Sequence, residues 1–310
     1  MSAHREQAKD SSAMKLGLIG LGNMGFHFGT RLAAAGLDPV VFDVNPQALA
    51  RVAGNGARAA ASARALADEA DTVLLCLPMP AIVQSVAADI IQGSAVRTIV
   101  DLSTTGPSVT EELAAQAAAR GIRWVTGPVS GGTTGAEKGT LTMMVSGDEA
   151  AYLSAKPALD VLAKNIHYLG AAPGLGQTMK IVNNTLCAVS IVAACETLVF
   201  GAKAGLDPKQ MLDVINTSSG RSFATQEKVP QCILNRSFPM RFTTDLLHKD
   251  IKLCMEEAEK LGVPMTVSPA ARQFLAFAIS QGDGPRDYAH IIRHIEQWSG
   301  AEFGAAPAKE

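Results

Sequence analysis

Four short apolar runs, residues 16–19, 39–42, 72–75 and 98–101, recur between alanine-rich stretches of helical character. Each is apolar on successive residues instead of alternate ones, which is the pattern of strands covered on both faces. Strands of that kind joined by helices form repeated βαβ units, whose parallel sheet binds ligands beyond the carboxyl ends of its strands. The alternation predicts an α/β fold with a doubly wound sheet from Lys15 to about Gly170. Further strands are expected at 122–126 and 141–145, the second followed by a turn at Ser146-Gly147-Asp148.

The strand-like runs stop at a Pro/Gly cluster, residues 171–176, and the remainder reads as helices. A long one is expected over about 175–204, a second opened by Asp207-Pro208, and a third over about 244–261, ended by Gly262-Val263-Pro264. Ser268-Pro269 can open the next. At 310 residues the chain fits two domains: a disordered leader at 1–13, a dinucleotide-binding domain at 14–173 and an all-helical domain at 174–303, before a loose tail. The most apolar window, 181–200, is interrupted by Asn183, Asn184 and Glu196, so it reads as a buried helix and not a membrane span.

Charge narrows the partners. With 27 basic against 29 acidic residues the net charge is −2, and no basic stripe is present to neutralise a run of phosphates, so nucleic acid is not expected as a partner. The five cysteines, Cys76, Cys187, Cys195, Cys232 and Cys254, are widely spaced, with no CxxC and no histidine pairing, and read as reduced core residues with no metal site. The leader lacks the apolar stretch of a secretion signal, and a soluble cytoplasmic location follows.

Two segments carry chemistry. In Gly20-Leu21-Gly22-Asn23-Met24-Gly25, Gly20 makes the tight turn after the first strand, Gly22 lets the backbone approach a pyrophosphate, and Gly25 lets the helix lie close on the sheet. Asp43 ends the second strand at the spacing of an acidic residue that accepts from ribose hydroxyls and repels a 2′-phosphate, which favours NAD over NADP. An N-cap or solvent role for Asp43 is the alternative. The second segment is Gly176-Gln177-Thr178-Met179-Lys180-Ile181-Val182-Asn183-Asn184. Positions i and i+4 stand one turn apart on one helix face, so the Lys180 ammonium and the Asn184 amide can reach one small ligand and handle a hydroxyl proton. An ordinary surface lysine and a helix-bridging amide are the bland counterparts.

These motifs, with Thr126-Gly127-Pro128-Val129-Ser130-Gly131-Gly132 and Lys249-Asp250, occur in an order that resembles the β-hydroxyacid dehydrogenases of the 3-hydroxyisobutyrate dehydrogenase type, over about residues 15–299. The resemblance implies an NAD(P)-binding Rossmann domain, a long interdomain helix carrying the catalytic lysine, and an all-helical domain, like that of 6-phosphogluconate dehydrogenase, that closes over substrate and supports a homo-dimer or homo-tetramer. Carried over by position, Lys180 resembles the catalytic acid/base and Asn184 a substrate-orienting amide. Ser130, Gly131 and Gly132 resemble the loop that holds the substrate carboxylate, and Phe242 and Asp250 match substrate-side positions. Leu77, Pro78 and Thr104 resemble further cofactor contacts, and Lys249 the lysine near the nicotinamide half. Thr126 stands where the family usually has an acidic residue.

The function implied is hydride transfer between NAD(P) and a short 3- or 4-hydroxy carboxylate or its semialdehyde, such as 3-hydroxyisobutyrate, glycerate, 4-hydroxybutyrate, threonate or serine. An imine reductase shares the two-domain plan but generally lacks this lysine; a cofactor-binding module without catalysis would have lost it. His248 and Arg221 are polar residues with competing structural readings and do not join the candidate site.

Overall fold

The computed structural model describes residues 14–304. The leader and most of the tail expected from the sequence lie outside that range. Strands β1 (Leu16–Ile19), β2 (Val40–Phe42), β3 (Arg58–Ala59), β4 (Thr72–Leu75), β5 (Thr98–Asp101) and β6 (Arg123–Thr126) lie in the order β3-β2-β1-β4-β5-β6, every neighbouring pair parallel. The chain direction of assembly reverses between β1 and β4, the position at which doubly wound sheets open a ligand crevice. Beyond β6 the sheet turns antiparallel: β8 (Leu141–Gly147) pairs with β6 and with β7 (Val129–Ser130), and β9 (Ala163–Tyr168) lies parallel to β8.

Burial explains why the strand signal was strong. Leu16, Leu18, Leu74 and Val100 point to one face and join Phe28 and Leu32 of α1 (Asn23–Ala34) and Val52 of α2 (Pro46–Ala53). Ile19, Val73, Leu75 and Ile99 point to the other, against Leu66 of α3 (Ala63–Ala67), Val83 and Ile90 of α4 (Pro80–Ile90) and Leu113 of α5 (Pro107–Ala118). Both faces of the central strands are thus apolar. α6 (Gly132–Lys138) and α7 (Glu149–Leu162) complete this half.

α8 (Gly174–Lys203) then runs for 30 residues, packing on β8 and α5 and, further along, on α10 (Thr244–Lys260), α11 (Ser268–Ala278) and α12 (Ile292–Ser299); α9 (Pro208–Asn216) sits beside it. Its length and composition are those of a membrane-crossing helix, yet Ile191, Cys195 and Leu198 form a core with Leu247 and Ile251 of α10, Leu275 of α11 and Ile292 of α12. Asp207 caps α9 by accepting from Gln210 N–H, with Pro208 at the first turn.

Some details depart from the sequence expectations. Strands β3, β7 and β9 were not expected: β3 and β7 are two residues each, and β9 is an edge strand with exposed polar side chains, so none has a continuous apolar run. β8 extends to Gly147, so Ser146 and Gly147 belong to the strand, and Asp148 caps α7 by accepting from Ala151 N–H. Ser268 lies inside α11 and makes no capping bond. Residues Ala224–Ile233 form a π-helical segment.

Candidate active site

The turn after β1 holds its shape because two of its glycines have no room for a side chain. Gly20 adopts φ +93°, and a Cβ there would stand 2.3 Å from the Cys76 carbonyl oxygen; one on Gly25 would stand 1.9 Å from the Gly20 carbonyl oxygen. Gly22 is the opposite case: a Cβ there would meet nothing within 4 Å. No side chain caps the N-terminus of α1, so the N–H groups after Gly22 face that open space with the positive end of the helix dipole. A dinucleotide pyrophosphate fits there. Leu21 is buried, Asn23 is exposed and Met24 is half-buried beside it. Asp43 accepts from Leu21 N–H at 2.6 Å through Oδ2 and from Asn45 N–H at 2.8 Å through Oδ1, so its carboxylate braces the turn; the cap of α2 is Asn45. Each carboxylate oxygen retains a further lone pair for a ribose hydroxyl.

Next to this turn, the loops after β4 and β5 interlock. Leu77 N–H donates to Ser103 Oγ at 2.9 Å, and Leu77 Cδ2 lies 2.9 Å from where a Gly20 Cβ would be; Pro78 follows, exposed. Asp101 is fully buried and accepts from Ser103 N–H, and burial raises its pKa above the ordinary carboxylate value. Thr126 pairs in register with Asp101 on the neighbouring strand, and its buried hydroxyl has no hydrogen-bond partner among the described residues. A carboxylate at 126 would place a second buried anion beside Asp101.

The start of α8 is fixed from three sides. Gly176 N–H donates to Ser146 Oγ, which donates in turn to Pro173 O, both at 2.8 Å; a Cβ on Gly176 would lie 2.4 Å from Met144 O. Gln177, fully buried, accepts from Thr105 N–H at 3.0 Å and donates to Ser103 O at 3.0 Å. With the first turn pinned to β8 and to the loop after β5, Lys180 enters the interior one turn later, 7% exposed. Nζ donates to Asn184 Oδ1 at 3.1 Å, Asn183 Nδ2 donates to the same oxygen at 3.0 Å, and Asn184 Nδ2 donates to Asp250 Oδ2 at 2.5 Å. Two donors on one side and a carboxylate on the other fix which end of the Asn184 amide is oxygen.

Asp250 is 1% exposed; its other oxygen lies 3.1 Å from Lys249 Nζ, at an angle poor for a hydrogen bond, and Lys249 donates to Thr104 O at 2.7 Å. Lys249 therefore ties α10 to the loop after β5. Burial lowers the Lys180 pKa below that of free lysine; the Asp250 charge opposes that shift and the Lys249 charge adds to it. In the first half of the chain, Ser130 ends β7, and Gly131 and Gly132 take φ +125° and +62° as α6 begins. A Cβ on Gly132 would stand 3.8 Å from the Arg241 carbonyl oxygen, so this loop meets the segment carrying Phe242. The Phe242 ring stands edge-on to Tyr288, centroids 6.2 Å apart.

The structure thus brings Lys180, Asn184, Lys249, Asp250 and Thr104 into one connected group, and sets the Ser130 loop beside Arg241 and Phe242. His248 is half-buried; burial, with Arg272 and Lys252 adding to it and Asp245 opposing, lowers its pKa, and it makes no hydrogen bond to the Lys180 group; Arg221 is exposed. Sequence reasoning missed Gln177 and the buried pair Lys228–Asp287, 2.6 Å apart. Gln177 had a signal, a polar residue inside an apolar helix near Lys180. The ion pair, joining residues far apart in the chain, had none. Among the described residues, no group of three or more His, Cys, Asp or Glu side chains is arranged to hold a metal.

Comparison with known proteins gives a consistent result. Residues 15–170 match the NAD binding domain of 6-phosphogluconate dehydrogenase, and residues 174–295 match a model described as NAD-binding of NADP-dependent 3-hydroxyisobutyrate dehydrogenase. The chain is 37% identical over 292 residues to 2-(hydroxymethyl)glutarate dehydrogenase of Eubacterium barkeri, covering 93% of this chain and 97% of the relative. The solved structure of 3-hydroxyisobutyrate dehydrogenase of Mycobacterium tuberculosis with L-serine superposes with a TM-score of 0.84 at 32% identity, over 91% of this chain and 99% of that one. An imine reductase of Streptomyces aurantiacus, at 18% identity, a TM-score of 0.63 and coverage of 91% and 99%, shares the fold alone. The chain belongs to the 3-hydroxyisobutyrate dehydrogenase-like family of NAD(P)-dependent β-hydroxyacid dehydrogenases.

Proposed function

We propose that Lys180 is the general acid/base of this dehydrogenase and that it acts on short 3- or 4-hydroxy carboxylates and their semialdehydes. The observation that carries this reading is a buried lysine with, among the described residues, no carboxylate at its own ammonium, joined to Asp250 through the Asn184 amide. A free lysine, near pKa 10.4, is a poor base at neutral pH, whereas one whose value is lowered by burial can take a hydroxyl proton and return it. Asn184 fixes where Nζ stands and presents an amide to the substrate oxygen. Ser130 Oγ and the N–H groups of Gly131 and Gly132 seat the substrate carboxylate, since a positive-φ glycine turn can bind an anion without a cation. Phe242 and Asp250 close the substrate side.

Gly20, Leu21, Gly22, Asn23, Met24 and Gly25 receive the pyrophosphate, Asp43 the adenosine ribose, and Leu77, Pro78, Thr104 and Lys249 the remaining length of the cofactor. The nicotinamide, when bound, supplies the hydride acceptor or donor. The Asp43 carboxylate disfavours a 2′-phosphate, so NAD is preferred over NADP. We divide the chain at 173/174, place it in the cytoplasm, and assign it a homo-dimeric or homo-tetrameric state. The last reading is supported by Leu175, Met179, Val182 and Leu186, exposed apolar residues on one face of α8.

The test is a panel of such hydroxy acids assayed by NADH and NADPH absorbance, with Lys180→Ala alongside. A loss in kcat of about 100- to 10,000-fold is expected, the size of a general acid/base contribution, together with loss of the acid-side limb of the pH–rate profile for oxidation, where protonation of Lys180 removes the base. An acid-side limb unchanged in Lys180→Ala, or turnover of cyclic imines alone, defeats the assignment.

A further inference from the structure

Of the cations Lys180, Lys249, Lys228 and Arg241 in the helical half, three are engaged. Lys180 faces Asn184. Lys249 is held by Asp250 and Thr104 O. Lys228, 2% exposed, lies 2.6 Å from Asp287 and 4.1 Å above the Tyr288 ring. Arg241 is the fourth, and among the described residues no carboxylate stands within ion-pair distance of it. Among the described residues its guanidinium donates to the neutral Gln231 Oε1 alone, at 2.5 Å, while the other end of that amide donates to Glu227.

The backbone beneath this arginine is fixed with unusual economy. Arg241 N–H and Phe242 N–H donate to Asp287 Oδ2 at 2.9 and 3.1 Å, and Oδ1 of the same carboxylate takes Ala289 N–H and the Lys228 ammonium. The Arg241 carbonyl oxygen in turn lies against Gly132. A rigid base next to the glycine loop thus carries a half-buried guanidinium whose present partner is an exposed neutral amide. That partner can be released to water without stranding a buried charge, and the guanidinium fork matches a carboxylate.

We propose that Arg241 selects a substrate bearing a second carboxylate: a dicarboxylic 3-hydroxy acid, or its semialdehyde, with one carboxylate on the Ser130-Gly131-Gly132 loop and the distal one paired with the guanidinium. The inference rests on the carboxylate seat proposed above. Substrates with a single carboxylate leave Arg241 with Gln231 and gain nothing from it.

The test compares 2-(hydroxymethyl)butanedioate and 2-(hydroxymethyl)pentanedioate with the amides that neutralise each distal carboxylate, using wild type, Arg241→Gln and Arg241→Lys. The wild type is expected to favour at least one diacid over its amide by about 10- to 100-fold in kcat/KM, the range of a charge-assisted hydrogen bond. Arg241→Gln is expected to lose that preference through KM, with the amide turned over as before, and Arg241→Lys to keep part of it. Equal turnover of diacids and amides by the wild type overturns the proposal, as does a loss in Arg241→Gln that falls alike on both. Failure of the wild type to oxidise any hydroxy acid sinks the underlying reading instead, and is a separate result.

Discussion

At Lys180, burial acts on chemistry and on stability with opposite signs. The folded state lowers the proton affinity of the amine, mainly through desolvation, so a charged Lys180 penalises folding at neutral pH. For a lysine whose folded pKa lies below its unfolded value of about 10.4, the unfolded chain binds more protons between the two values, and stability rises with pH across that window. The penalty is complete below the folded pKa and relieved as pH approaches the unfolded one. Lys180→Met is therefore expected to raise stability at pH 7 by about 1–3 kcal/mol, the cost of a buried polar group with incomplete partners, while abolishing turnover. Urea unfolding at pH 7 and pH 10 checks this: the advantage of Lys180→Met should shrink at the higher pH, and a constant difference would rule the explanation out. The Lys180–Asn184 pairing was legible because helical geometry fixes what i and i+4 can share. Lys228 and Asp287 were not, because lysine and aspartate are usually surface residues and only the folded chain shows these two buried and paired; Gln177 was marked only as a polar residue inside an apolar helix, its contacts with the loop after β5 being tertiary.

Among the elements, the β1–turn–α1 unit separates two uses of glycine that a motif cannot tell apart. A methyl group on Gly25 collides with the Gly20 carbonyl, whereas one on Gly22 points into empty space where a phosphate would approach. Gly25→Ala is expected to lower the thermal midpoint of the apo protein, since backbone must move to admit the methyl group. Gly22→Ala is expected to leave that midpoint nearly unchanged while weakening NADH binding at least tenfold. Differential scanning fluorimetry and NADH fluorescence titration measure the two separately; equal destabilisation by both changes would show that Gly22 serves packing only. The central strands were legible because helices cover both faces, giving uninterrupted apolar runs. The antiparallel margin was not: β7 is too short to carry a pattern and β9 exposes its polar side chains, so their pairing with β8 comes from tertiary structure. That margin matters, since β7 delivers Ser130 and β8 anchors α8 through Ser146.

For the molecule as a whole, the long helix serves two surfaces. One face of α8 supplies Ile191, Cys195 and Leu198 to the helical core, and its first turns rest on β8. Leu175, Met179, Val182 and Leu186 fall at spacings of four, three and four, one stripe along the exposed side, between 39% and 65% accessible. A continuous apolar stripe on the helix that joins both halves is costly to leave in water, at about 25 cal/mol for each Å² exposed. A second copy of the chain would cover the stripe with a matching apolar surface. The wild type is accordingly expected to sediment as a dimer or tetramer at micromolar concentration. Leu186→Lys, which changes the most exposed of the four without touching Lys180 or its partners, is expected to shift the protein toward monomer, with a lower thermal midpoint that no longer rises with protein concentration as the wild type's does. Because each protomer carries its own Lys180, Asn184 and Asp250, the dissociated variant should still bind NADH on the β1 turn. Sedimentation velocity of both proteins decides the matter: a wild type that runs as a monomer, or a Leu186→Lys protein whose mass matches the wild type, places the stripe outside any interface between copies.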